Sequence, residues 1–169
     1  EKHMRLNERL FNNLEVGIWN EDFSFIYNSI KELKKEGVVD FRKYLNENMD
    51  YVKFLLNSIN VISVNKVAIT MFESKNEYEL ISSISKTFGD NAMDIFIYEL
   101  EAIWNNENYF RMEADFLTLN NKNITAIISF SIPNTEEDSK SIPVSILDIT
   151  DIKEKEKLLF QQSKMAAMG

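Results

Sequence analysis

The chain has no cysteine, only two prolines and only four glycines in its 169 residues. Without a thiol it can form no disulfide, no thiolate nucleophile, no cysteine-ligated zinc or iron–sulfur centre and no flavin–cysteinyl adduct. A reducing compartment fits that composition, and the cytoplasm is the expected location. So few glycines leave no Gly-rich phosphate-binding loop. Histidine occurs once, at His3 near the start. No histidine base, proximal haem ligand or phosphoacceptor is therefore expected in the body of the chain. Positive charge is scarce as well, with 19 Lys and Arg against 27 Asp and Glu and a net charge of −8. Nucleic acid and anionic lipid both favour basic surfaces, so neither is expected as the main partner. No apolar run reaches the roughly 18 residues that a membrane span needs, and no signal peptide is evident.

What is present reads as a packed domain: 44% of residues are apolar and 12% aromatic. In residues 2–14, "KHMRLNERLFNNL", Leu6, Leu10 and Leu14 stand four apart, the spacing of an amphipathic helix. "EVGIWNE" holds β-formers and predicts a strand around 16–20. "EDFSFIYNSIKELKKEG" returns to helical period through Phe23, Ile26, Ile30 and Leu33, with Asp22 as an N-cap and Gly37 as a stop. Two short helices, "DFRKYLNEN" and "MDYVKFLLNSI", follow. "NVISVN" then reads as a strand. Asn65 and Asn76 sit where they would cap two more helices, and "DNAMDIFIYELEAIWNNEN" is the clearest helix of the middle region.

Beyond it the period changes to two. Phe110, Met112, Ala114 and Phe116 alternate with Arg111, Glu113 and Asp115, and "ITAIISFSI" and "IPVSILDIT" continue as strands. Three consecutive antiparallel strands with the two early ones predict a five-stranded α+β sheet with helices on one face. The last segment, 151–169, predicts a helix opened by Asp151 with Glu154 as an acidic cap. On it Ile152, Leu159 and Ala166 recur at sevens, as do Leu158 and Met165 beside them. Such a repeat keeps one seam toward a partner helix. Docking of this helix on its own domain is the competing reading.

The ordered set "SVNKVAITMFESKNEYEL", a long helix, a three-stranded meander and "DIT" at Asp148–Thr150 resembles the core of PAS sensor domains. The resemblance covers residues 59–150 and implies an antiparallel sheet in the order 2-1-5-4-3 with "VGIWN" as first strand. It also implies a helical insertion at about 22–58, where the compact PAS pattern has a short turn. "QQSKMAAMG" resembles the run leading into the phosphoacceptor helix of bacterial two-component sensor histidine kinases. That implies a non-catalytic sensing and dimerising piece, 15–150, flanked by helices and feeding a downstream kinase domain in a parent protein. A ligand-free dimerisation spacer and a PAS sensor with a different output domain stay open.

No side-chain cluster points to catalysis or to a metal. The acidic pairs Glu21/Asp22 and Glu136/Glu137 read as solvated charges. Under the resemblance, a small-molecule pocket would draw on Met71, Phe72, Phe88, Met93, Phe96, Leu100, Met112 and Phe130, with ordinary core packing as the alternative for each. The signal would pass through Asp148, Ile149 and Thr150, and Ile152, Leu158, Leu159 and Met165 would face a second copy. The cofactor is unspecified; a small organic ligand is the open possibility.

Overall fold

A computed structural model describes residues 16–168. The helix expected over 1–14, and His3 with it, lie outside the described residues. The elements run β1 (Gly17–Asp22), α1 (Ser24–Lys35), α2 (Phe41–Glu47), α3 (Met49–Asn57), β2 (Asn60–Val64), α4 (Lys66–Met71) and α5 (Glu77–Ser82). A 3-10 turn (Ile84–Thr87), α6 (Ala92–Trp104), β3 (Tyr109–Leu117), β4 (Asn123–Ser131), α7 (Glu136–Ser139), β5 (Ile142–Asp148) and α8 (Thr150–Met168) complete the chain. The five strands form one sheet in the order β2-β1-β5-β4-β3, and every pairing is antiparallel. This is the expected topology.

Period-two patterning places the core. Along β3, Phe110, Ala114 and Phe116 are buried; along β4, Ile124, Ala126, Ile128 and Phe130; along β5, Ile142, Val144 and Ile146. Their strand neighbours Arg111, Glu113 and Asp115 are exposed on the other face. Helix α6 lies over the inner face and buries Phe96, Leu100 and Ile103.

β1 runs two residues further than the sequence reading allowed. Glu21 pairs with Ile142 on one side and Val61 on the other. The alternation Gly17, Trp19, Glu21 therefore continues inward.

The segment between β1 and β2 is three helices. Asp40 accepts the Lys43 N–H at the start of α2. Gly37, at φ 92°, ends α1: its own N–H donates to the Lys34 carbonyl and that of Val38 to the Leu33 carbonyl. Only glycine takes this left-handed position without strain. Leu45, Val52 and Leu55 of α2 and α3 are completely buried, and each such side chain contributes roughly 1.5–3 kcal/mol. Phe41 stacks on Trp104 at 4.2 Å between ring centroids, and Arg42 is hydrogen-bonded to Glu101. These contacts hold the helices against α6, over the end of the inner face where β1 finishes.

Candidate functional site

A cavity of about 60 Å³ lies between the inner face of the sheet and the helices. Trp19 and Glu21 of β1, Ala114 and Phe116 of β3 and Ile128 of β4 form its floor. Ile95, Phe96 and Glu99 of α6 form one wall, and Leu56 and Ile59, at the end of the inserted helices, form another. Ile84, Phe88 and Ala92 close the remainder. Its volume is several times the ~10–15 Å³ that one water requires.

Two carboxyls enter this largely apolar space. Glu21 is 7% exposed and Glu99 6% exposed, yet neither has a hydrogen bond or ion pair among the described residues. Burial pushes the Glu21 carboxyl up to about 8. Glu99 is raised well above the ordinary carboxylate range, by burial first and by the charge of Glu21 second. Below about pH 8 Glu21 is therefore held as a neutral acid, and burial pushes Glu99 the same way, because an unpaired charge in an apolar interior costs several kcal/mol. A third polar group belongs to the same wall. The indole Nε1–H of Trp19, a residue only 2% exposed, has no acceptor among the described residues.

The aromatic side chains around these groups pack against one another. Trp19, Phe72 and Phe116 form a triangle with centroids 5.1, 5.6 and 6.0 Å apart. Asn65 fixes the entry of β1 from below. Its side-chain oxygen accepts the N–H of Ala68 at 3.0 Å and of Ile18 at 2.9 Å, while its amide donates to the Val16 carbonyl at 2.8 Å. It is thus the helix cap that the sequence suggested and also a clamp between α4 and β1.

Of the residues named from sequence as a pocket, Phe88 and Phe96 line the cavity. Phe72, Leu100 and Phe130 are buried in the surrounding core, Phe130 between Phe23 and Phe110. Met93 and Met112 are half-buried against that core. Met71 borders a separate surface groove with Lys66, Val67, Thr70 and Asp148.

Glu21 and Glu99 were missed. The reading of Glu21 as a solvated charge is corrected by its place inside the sheet. The alternation Trp19–Glu21–Phe23 carried the signal for Glu21. The spacing Ile95–Glu99–Ala102 on one stripe of α6 carried it for Glu99.

At the other end of the sheet, the "DIT" residues join β5 to α8. Ile149 N–H donates to the Thr125 carbonyl at 2.8 Å, and Thr125 N–H donates to the Thr150 hydroxyl at 3.0 Å. The Asp148 carboxylate accepts both the Thr150 N–H, at 2.9 Å, and the Thr150 hydroxyl, at 2.6 Å. The acid that opens α8 is therefore Asp148, not Asp151: it lies before the first turn, where its oxygen can reach a free N–H. Lys153 then pairs with Glu113 on β3 at 2.7 Å. The rest of α8 buries nothing, and Ile152, Leu158, Leu159 and Met165 are all more than half exposed. Among the described residues no helix is long and apolar enough to cross a membrane, and no group of three or more acids, His or Cys is placed to hold a metal ion.

No family model matches the sequence, and no curated protein matches it. Solved structures do. A domain of the sensory box sensor histidine kinase/response regulator from Geobacter sulfurreducens superimposes with a TM-score of 0.50 at 13% identity, covering 85% of this chain and 92% of that one. A PAS domain from a two-component sensor histidine kinase superimposes with a TM-score of 0.50 at 11% identity, covering 86% and 95%. At such identities the likeness is one of fold.

Proposed function

We propose, because the chain has the PAS fold, that it is the sensing module of a two-component sensor histidine kinase. Occupancy of the internal cavity would be passed through the last strand to α8. The observation that carries this reading is the cavity itself: a space walled by β1, β3, β4 and α6, with polar groups that have no partner among the described residues. A dimerising spacer has no use for such groups, since a fully apolar interior is more stable. The transmission route is short. β4 forms part of the floor, and its Thr125 is hydrogen-bonded to Ile149 and Thr150 at the root of α8. A ligand shifts the arrangement of that root only by its difference in affinity between two states. The exposed seam Ile152, Leu159, Ala166, with Leu158 and Met165 beside it, suits a second copy of the same helix packed in parallel. Rotation of such a pair would reach a kinase domain downstream.

Native mass spectrometry of the purified chain tests the sensing reading. A discrete extra mass that disappears on denaturation is expected, with dimers in the same spectrum. A chain that carries no added mass from any source, under conditions that preserve the dimer, argues for a spacer instead.

The joint is tested separately by Thr150→Val. This substitution keeps the side-chain volume but removes the hydroxyl that links Thr125 to Asp148. Stability is expected to fall by only about 1 kcal/mol, while autophosphorylation of the parent loses its dependence on cavity occupancy. An unchanged response would show that the signal travels elsewhere.

A further inference from the structure

We infer that the cavity selects a small organic cation, an amine or amidinium that also carries a hydrogen-bond acceptor, with Glu21 and Glu99 as its counter-charges. This rests on the sensing reading above and gives it a ligand class. Among the described residues the lining holds two buried acids, Glu21 from β1 and Glu99 from α6, while Asp115 of β3 borders it with its side chain exposed. No Lys, Arg or His among the described residues lines it. Every element packed around the space therefore contributes either an acid or an apolar surface. An anionic ligand would meet repulsion without a single compensating cation.

The aromatic walls point the same way. Trp19, Phe88, Phe96 and Phe116 line the cavity, and a cation is attracted to aromatic faces. The indole N–H of Trp19, a lining residue, has no acceptor among the described residues, and a ligand that carries an oxygen beside its positive charge would supply one. About 60 Å³ limits it to a few heavy atoms. A hydrated divalent metal fits poorly, since only two buried carboxylates are offered and the other walls are hydrocarbon.

Binding such a cation requires at least one carboxyl of the pair to ionise. Burial raises both carboxyls, Glu21 to about 8, so the proton of one of them is released as the ligand enters. The sign follows from linkage. Affinity for a monocation rises with pH up to about pH 8, by about tenfold per pH unit for each proton released.

Ethanolamine is a suitable probe, being protonated across this range and having a hydroxyl acceptor. Ethylene glycol is its neutral counterpart and glycolate its anionic one. Calorimetric titration of the full chain is expected to show 1:1 binding of ethanolamine, about a hundredfold tighter at about pH 8 than at about pH 6. Ethylene glycol should be at least tenfold weaker, and glycolate should not bind. In the double variant Glu21→Gln/Glu99→Gln, which keeps side-chain shape and removes both buried acids, ethanolamine affinity should drop to that of ethylene glycol and lose its pH slope. Circular dichroism establishes that the variant is folded.

Four results would overturn the inference: equal binding of the neutral diol, a flat or falling pH profile, no ethanolamine binding at millimolar concentration, or tighter binding of magnesium or calcium with the same slope. If any of these occurs while the native mass spectrum still contains an added mass, the cavity senses something other than an organic cation. If the spectrum is bare too, the sensing reading falls with it.

Discussion

Glu21→Gln is expected to stabilise the ligand-free protein by roughly 3–5 kcal/mol at pH 8 and to leave its stability nearly unchanged at pH 4.5. In the unfolded chain Glu21 titrates near its ordinary value of 4.5, whereas burial raises it to about 8 in the fold. Between those values the folded state holds a proton that the unfolded state has released. Stability therefore falls as pH rises through the window, by about 1.4 kcal/mol per unit, and levels off above about pH 8. A glutamine is neutral throughout and removes that slope.

The acidic net charge of −8 also weakens the fold at high pH through self-repulsion. It does so almost equally in both proteins, so their difference isolates the buried group. With Glu21 neutralised, Glu99 loses the repulsion that adds to its own upward shift. Its titration should move down, though burial still keeps it high. Urea unfolding at several pH values between about 4.5 and 8.5 is the measurement. Curves for the two proteins that run parallel over the whole range would mean that water or an unseen partner keeps Glu21 ionised.

Asn65→Ala should cost about 3–4 kcal/mol, a large part of the 5–15 kcal/mol that holds a typical domain. The loss of a helix cap accounts for about 1 kcal/mol of it. The remainder comes from the Ile18 N–H and the Val16 carbonyl, which lose the same side chain and are only partly accessible to water. The residue has no exposed surface at all, so no solvent replaces it directly. Asn65→Asp should fall between, since a carboxylate oxygen still accepts from Ala68 and Ile18 but faces the Val16 carbonyl with no donor. Denaturant midpoints for the three proteins check the order. An alanine variant within 1 kcal/mol of the parent would show that α4 and β1 are held together by packing alone.

The sheet was legible because β3, β4 and β5 alternate without interruption, and Phe110, Phe116, Ile128 and Ile146 all fall on the face their spacing requires. The strand order was not written in the period of any strand; it came with the resemblance to PAS domains, whose sheet this chain shares. The inserted helices were visible from Ile26, Ile30 and Leu33 and from the Gly37 stop.

The candidate site was harder to see for a definite reason. Hydrophobic patterning finds the core through apolar residues, and both functional candidates are acids standing where that pattern calls for an aliphatic side chain. A strand over 16–20 leaves Glu21 just beyond its end, where an acid reads as a solvated charge, whereas β1 runs to Asp22. On α6, the strong stripe through Phe96, Leu100 and Ile103 drew attention away from the adjacent one that contains Glu99. A break of polarity inside an otherwise regular buried pattern is itself the signal. At the root of α8 the error was of a different kind: two acids, Asp148 and Asp151, both suit a helix start, and only the three-dimensional position of the Thr150 N–H chooses between them.

The place of β1 in the sheet has a consequence for how the molecule assembles. It is the first described strand, yet it sits between β2 and β5 and pairs Gly17 with Ile146. The strand that carries Trp19 and Glu21 must therefore wait for almost the last part of the domain before its second edge is filled. Closing so long a loop is slow compared with forming the meander or the inserted helices, which are built from near neighbours. During synthesis the β3–β4 hairpin can form while β1 still has an open edge. β5 closes the sheet, and its last residue, Asp148, two before the first residue of α8, also supplies the anchor of the outgoing helix. The floor of the cavity and the anchor of α8 thus both depend on β5 taking its place between β1 and β4.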